Sequence, residues 1–405
     1  MSNFVDHVRN IPIFLDIKFD INIATSLKTL LLSTDLPDEP PISRIPEWEL
    51  GIHLPWLAQL KHMLEGKDWR VDDLEHRINS WPNYIVRMKA TEDEGDDEEL
   101  DLHFMHVRSK HANAIPLLLL HGWPGTFWDF HKVIETLTNP PDGQPAFHLV
   151  IPSLPGYFLS KHSRRYDWSL VDSACLIHRL MVVVLGYSRY CGQGGDWGSY
   201  ILRAIGSLYP FHAPVLHFNM FRCPPVIGLD PETAFTESEK KALERSREFQ
   251  RTGRGYNEIQ STRPFTIGIA LSTSPLALLA YIGEKFYAWS DPHTLDPADV
   301  LDTVALYYLS RCFATSVMIY HQSHQVRKEM TLPQNDGMWK VGSKIGFTLF
   351  PYEIGASPRV YIKAVGQLVF YKERSVGGHF PALDNPEGLV EDLREFIGVN
   401  WENVS

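Results

Sequence analysis

The hydrophobic positions of this chain fall into three successive regimes. Over residues 1–90, apolar side chains recur at helical spacing in three short stretches, Ile23–Leu32, Leu54–Leu64 and Arg70–Ser80. A Pro-rich passage at Asp38–Pro46 separates the first from the second. The acidic run Thr91–Glu99 reads as a solvated loop. Leu102, Phe104 and Val107 then begin a strand pattern.

Strands and helices alternate in the second regime. Pro116–Leu120 is wholly apolar, as a strand buried on both faces of a parallel sheet must be. A helix follows over Trp128–Leu137, then a strand over Phe147–Pro152, a helix over Ser169–Leu185 and a strand over Tyr187–Gly192. The helix Tyr200–Tyr209 and the strand Val215–Met220 complete this part. The third regime, 222–340, is helical, with helices near Glu237–Tyr256, Pro275–Trp289 and Asp296–Tyr320. Strands return at Lys344–Phe350, Val360–Val365 and Leu368–Phe370, and an amphipathic helix, Glu387–Phe396, closes the pattern.

A helical block between strands of one sheet implies a cap inserted over a doubly wound sheet. The expected fold class is therefore α/β, with a mostly parallel sheet, an inserted helical cap and an N-terminal meander. The expected divisions are 1–100 for the meander, 101–221 with 341–405 for the core, and 222–340 for the cap. No internal repeat is visible.

Composition narrows the function classes. The 405 residues are 44% hydrophobic and 21% charged, as in an ordinary globular protein. A net charge of −11 argues against a nucleic-acid partner, which needs concentrated Lys and Arg. Cys175, Cys191, Cys223 and Cys312 show neither metal-site nor paired spacing and are expected as thiols. No apolar run reaches membrane-spanning length; the most apolar long segment, Ile267–Ala288, is interrupted by Pro275, Glu284 and Lys285. No secretory signal pattern opens the chain. The expectation is a soluble, cytoplasmic protein without a membrane anchor.

The chemistry centres on Gly194-Gly195-Asp196-Trp197-Gly198. Gly-x-nucleophile-x-Gly describes a sharp strand-to-helix turn that exposes its central side chain. A carboxylate at that centre forms alkyl esters, so its substrate needs an electrophilic sp3 carbon, as in epoxides and alkyl halides. His379, in Gly377-Gly378-His379-Phe380, is the candidate base for hydrolysing the ester. Glu353, in Phe350-Pro351-Tyr352-Glu353, is the leading candidate to hold the imidazole, and Asp336, in Asn335-Asp336-Gly337, competes with it. Nucleophile, acid and histidine then follow the chain order of an α/β-hydrolase. The backbone N–H groups of Trp197 and Trp123 are the expected oxyanion donors, each worth roughly 3–4 kcal/mol in comparable sites. No metal or cofactor is called for.

These motifs together resemble the microsomal-type epoxide hydrolases, including their soluble fungal members. Gly51-Ile52-His53 through Trp56, with Trp69-Arg70, is similar to the N-terminal segment of that family. His121-Gly122-Trp123-Pro124-Gly125 with Phe127 is similar to its oxyanion loop, and the Asp196, Glu353 and His379 segments match its triad motifs. The resemblance implies hydrolysis of epoxides to vicinal diols. It also implies two phenols that hydrogen-bond the epoxide oxygen: Tyr256, in Gly255-Tyr256-Asn257-Glu258, and Tyr320. Tyr307 and Tyr308, upstream in the same predicted helix, compete with Tyr320. Phe158 and Leu159 depart from the small and aromatic residues usual there, which is expected to reshape the pocket wall. The resemblance further implies a homodimer.

The expected pocket is apolar, lined by Trp123, Phe158, Phe221, Phe249 and Phe265, and suited to apolar or aryl epoxides. Three other functions stand beside this one. A haloalkane-type dehalogenase would use tryptophan N–H groups to hold halide, and Trp123 is placed for that. An epoxide-opening cyclase would use the same acidic tyrosines without water. A non-catalytic scaffold would be expected to have lost part of the triad.

Overall fold

The computed structural model describes residues 10–42, 46–66, 68–92, 97–331 and 339–401. Asp336 and its turn lie outside the described residues, as do 93–96 of the acidic run and 43–45 of the Pro-rich passage.

The described strands are β1 (Ile13–Leu15), β2 (Asn83–Lys89), β3 (Glu99–Val107), β4 (Ile115–Leu120), β5 (Phe147–Pro152), β6 (Cys191–Gly194), β7 (Val215–Phe218), β8 (Val341–Leu349) and β9 (Gly366–Glu373). They form one sheet in the order β1-β2-β3-β5-β4-β6-β7-β8-β9. Pairing is antiparallel from β1 to β5 and parallel from β5 to β9. The chain passes from β4 outward to β5, then returns to the other side of β4 as β6. That reversal opens a crevice at the carboxyl ends of β4 and β6, where doubly wound sheets bind ligands. Leu117 to Leu120 on β4 are wholly buried, which accounts for the unbroken apolar run.

Several sequence expectations need correction. Val360–Val365 is not a strand. It lies in the helix Arg359–Val365, which follows Pro358 and connects β8 to β9. Those strands are parallel neighbours and need a crossover, and a short β-branched apolar run does not distinguish helix from strand. Trp128–Leu137 is a 3-10 turn at Phe127–Phe130, capped reciprocally by Thr126 and Asp129, followed by the short helix Ile134–Thr138. The strand expected at Tyr187–Gly192 runs over Cys191–Gly194 instead.

The cap lies between β7 and β8. Its expected helix Glu237–Tyr256 ends at Glu248, passes through a wide turn at Phe249–Gly253, and restarts at Gly255–Thr262 with Tyr256 in the first turn. The expected helix Asp296–Tyr320 breaks after Ser310, where Arg311 takes a left-handed φ of 57°. Tyr320 therefore sits on a separate short helix, Met318–Gln322. Pro275–Trp289 forms as expected, with Ser274 capping its N-terminus.

One buried carboxylate ties three parts of the chain together. Asp302, in the cap helix Pro297–Ser310, accepts hydrogen bonds from Trp69 Nε1, from both terminal nitrogens of Arg77 and from Trp128 Nε1. It thereby links the N-terminal region, the loop after β4 and the cap. The four cysteines are free thiols.

Candidate active site

The elbow forms because its neighbours are glycines. Asp196 opens the helix Asp196–Leu208 directly after β6, with a left-handed φ of 41°. A non-glycine residue pays for such a conformation, typically about 1–3 kcal/mol, and it persists where the surroundings impose it. Helix and strand meet so closely that a Cβ on Gly198 would lie 2.3 Å from the Leu120 carbonyl oxygen. Gly122 faces Asp196 directly, since a Cβ there would lie 2.2 Å from Asp196 Oδ1.

Two carboxylates flank one imidazole. His379 Nδ1 lies 3.0 Å from both Glu353 oxygens, and Nε2 lies 3.5 Å from Asp196 Oδ2. The second separation is an ion-pair distance, too long for a good hydrogen bond. Glu353 and His379 are buried. Burial opposes the imidazolium, but Glu353 and then Asp196 outweigh it, and the His379 pKa is raised to about 10.

The supporting contacts come from residues that sequence reasoning missed. Gly355 N–H donates to Glu353 Oε1, and Asn219 Nδ2 donates to Glu353 Oε2 and to the His379 carbonyl. Gln193 Nε2 donates to Asn219 Oδ1. Asn219 directly follows the β7 pattern, and a polar side chain just past the carboxyl end of an apolar strand was the available signal.

Trp123 N–H donates to Asp196 Oδ1 at 2.7 Å. The Trp197 amide sits in the first helical turn, immediately after Asp196. The Trp123 ring stacks on Tyr256, with centroids 5.1 Å apart at 14°. Tyr320 meets Trp197 edge-on at 4.8 Å and Tyr256 at 5.9 Å. Both phenols are buried beside Asp196, and the Tyr320 hydroxyl has no partner among the described residues. Burial, and secondarily the charge of Asp196, raises the Tyr256 pKa, while Tyr320, Arg222 and Arg327 oppose the rise. Tyr307 is spoken for, because its hydroxyl donates to the Gly125 carbonyl. Tyr308 lies away from the cavity lining.

A cavity of about 520 Å³ is lined by Asp196, Tyr256 and Tyr320. Of the five pocket aromatics expected from sequence, only Phe249 lines it. Phe265 is 66% exposed on the outside of the cap. Phe158 packs against His103 and Phe127, Leu159 faces outward, and Phe221 packs on Phe218. Beside Asp196 is a second cavity of about 30 Å³, lined also by Asp129, Gln193, Asn219 and His379. One water needs about 10–15 Å³ of such volume. Burial raises the Asp129 carboxyl to about 8.

A strained acidic elbow on a mostly parallel sheet, followed by acid and then histidine, defines an α/β-hydrolase that attacks through a carboxylate. The alpha/beta hydrolase fold family matches residues 115–220, and the family described as Epoxide hydrolase N terminus matches residues 15–130. Epoxide hydrolase 1 of Sus scrofa is 31% identical over 82% of this chain and 77% of its own length. The Aspergillus niger epoxide hydrolase structure is 32% identical with a TM-score of 0.82, covering 96% of each chain. The juvenile hormone epoxide hydrolase structure from Bombyx mori is 26% identical with a TM-score of 0.85, covering 97% of this chain and 96% of that one. The chain belongs to the epoxide hydrolase family. It is an enzyme that hydrolyses epoxides through a covalent aspartyl ester.

Proposed function

We propose that Asp196 is the nucleophile, His379 the general base, Glu353 the acid that holds it, and Tyr256 and Tyr320 the proton donors to the epoxide oxygen. The Trp123 and Trp197 amides form the oxyanion hole. The observation that carries this reading is the His379 ring, set between Glu353 and Asp196, with two buried phenols lining the cavity that Asp196 opens into.

Asp196 attacks an epoxide carbon, the carbon–oxygen bond breaks, and a phenol delivers its proton to the leaving oxygen. Two steps replace one difficult displacement. Ester formation also removes the negative charge of Asp196, one of the interactions that raise the His379 pKa. The imidazolium can then give up its proton by way of solvent, which restores the phenol that ring opening left as phenolate, and the neutral imidazole acts as a base toward water. Charge therefore orders the two steps. The small cavity beside Asp196 suits the hydrolytic water, with His379 on its wall. Water attacks the ester carbonyl, the Trp123 amide stabilises the oxyanion, and the diol leaves.

Two phenols at the cavity favour an epoxide over a halide, and the Trp123 indole does not line the cavity. A water-sized cavity beside the base favours hydrolysis over cyclisation. We take 222–340 as the functional cap. No single helix among the described residues is long and apolar enough to cross a membrane. A cytoplasmic location and a homodimer are further parts of this reading, and they rest on the family resemblance.

The test is intact-mass spectrometry of His379→Gln after mixing with styrene oxide. The expected result is a gain of one substrate mass, localised to Asp196. An unmodified protein, or an adduct on another residue, overturns the assignment.

A further inference from the structure

The main cavity is more cationic than its expected substrates require. Among its described lining residues are Arg222, Arg254, Arg327 and Lys328, against a single carboxylate, Asp196. The whole chain has the opposite balance, with 38 Lys and Arg against 49 Asp and Glu. Two of the four cations are readily explained. Arg254 pairs with Glu258 on its own helix, and Lys328 is exposed to solvent.

Arg222 and Arg327 differ. Among the described residues, neither has a carboxylate at ion-pair distance. Arg222 donates to the Ile354 carbonyl and lies over the Phe249 ring, 5.7 Å from its centre. Arg327 donates to Asn257 Oδ1 and lies over the Trp197 ring at 5.4 Å. Each guanidinium has five N–H donors, of which one is bonded among the described residues. Arg222 follows β7 on the core side, and Arg327 comes from the cap helix His324–Thr331. The two cations thus approach one cavity from opposite layers, each resting on an aromatic face.

We infer that this site selects epoxides carrying a carboxylate at a distance from the ring, with Arg222 and Arg327 as the carboxylate-binding pair. This rests on the epoxide-opening reading above. A carboxylate attached directly to the ring would face Asp196 and be repelled. A carboxylate set beyond an apolar spacer places the spacer against Phe249 and Trp197 and the anion between the guanidinium groups. Arginine suits this role because its planar fork matches both carboxylate oxygens.

The test compares the epoxide of undecylenic acid with its methyl ester, two substrates with the same ring and chain. For the wild-type enzyme kcat/KM should favour the acid by about tenfold or more, as one charge-assisted hydrogen bond provides. The preference should appear mainly in KM and shrink as salt is added. In Arg222→Gln and in Arg327→Gln the acid-to-ester ratio should fall toward one, with the ester serving as the control within each variant. Equal rates for acid and ester in the wild type overturn the inference. So does a loss shared equally by both substrates in the variants, which would mean that the arginines act on Tyr256 rather than on substrate. Styrene oxide separates the two levels of failure. If it is turned over while the acid is not preferred, only this inference falls; if no epoxide is opened, both readings fall.

Discussion

His379 Nε2 lies 3.5 Å from Asp196 Oδ2, so the proposed base rests against the proposed nucleophile. The other side of the ring is held by Glu353. The imidazole therefore lies between two carboxyl groups, both of which favour its charged form.

That arrangement has a pH signature. The folded pKa of His379, about 10, lies above an unfolded value of about 6.5. A raised histidine pKa contributes stability that is fully present below the unfolded value and lost as pH rises through the folded one. Glu353→Gln removes the strongest of the interactions that raise it. The difference in Tm between wild type and Glu353→Gln should be largest near about pH 6 and narrow toward about pH 10. Thermal melts across that window check it, and a constant difference would show that no charged imidazole is being held.

Asp196→Asn should abolish turnover and spare the fold. Asparagine is among the residues that best tolerate a left-handed backbone, which this position requires at φ 41°. Diol formation should fall by about 10⁴-fold or more, while stability stays within about 1 kcal/mol of wild type. Undiminished activity in protein shown by mass to be free of deamidation would remove Asp196 from the mechanism.

How much of this was legible in the sequence depended on locality. The elbow, the Trp123 loop and the His379 loop are local turns, and their residues carry the signal themselves. Pro275–Trp289 was legible because a capping serine and a proline mark its start. Val360–Val365 was misread because burial without periodicity suits helix and strand alike. The break at Arg311 was hidden, since nothing in Ser310-Arg311-Cys312 forbids a continuing helix. Asn219 acts through partners far away in the chain, so its role emerges only when the sheet assembles. The cationic cavity was invisible for the same reason, since Arg222 and Arg327 lie more than a hundred residues apart.

The paired phenols predict a divided burden. Tyr256→Phe or Tyr320→Phe alone should slow ester formation by about tenfold to a hundredfold, and the double variant by about 10²–10⁴-fold. Ester hydrolysis should be unaffected, because neither hydroxyl takes part in that step. Trp123 stacked on Tyr256 and Trp197 against Tyr320 supply a fluorescence reporter for stopped-flow measurement of each phase. A double variant that alkylates at the wild-type rate would eliminate both residues as acids.

Asp302 yields the last prediction, about architecture rather than chemistry. Its carboxylate is buried and joins Arg77, Trp69 and Trp128 across three parts of the chain. Asp302→Ala leaves two buried indole N–H groups and one guanidinium without that acceptor. Breaking a buried charge pair from one side costs about 3–5 kcal/mol, but the Arg77 side chain is 41% exposed and can recover water, so about 3 kcal/mol is expected. Asp302→Asn keeps one acceptor oxygen and should lose less. Urea unfolding of both variants measures the order. A loss below about 1 kcal/mol for Asp302→Ala would mean that apolar contacts alone seat the cap on the N-terminal region. A loss of the expected size would make this one carboxylate the link between the region that carries Trp69 and Arg77 and the cap helix Pro297–Ser310.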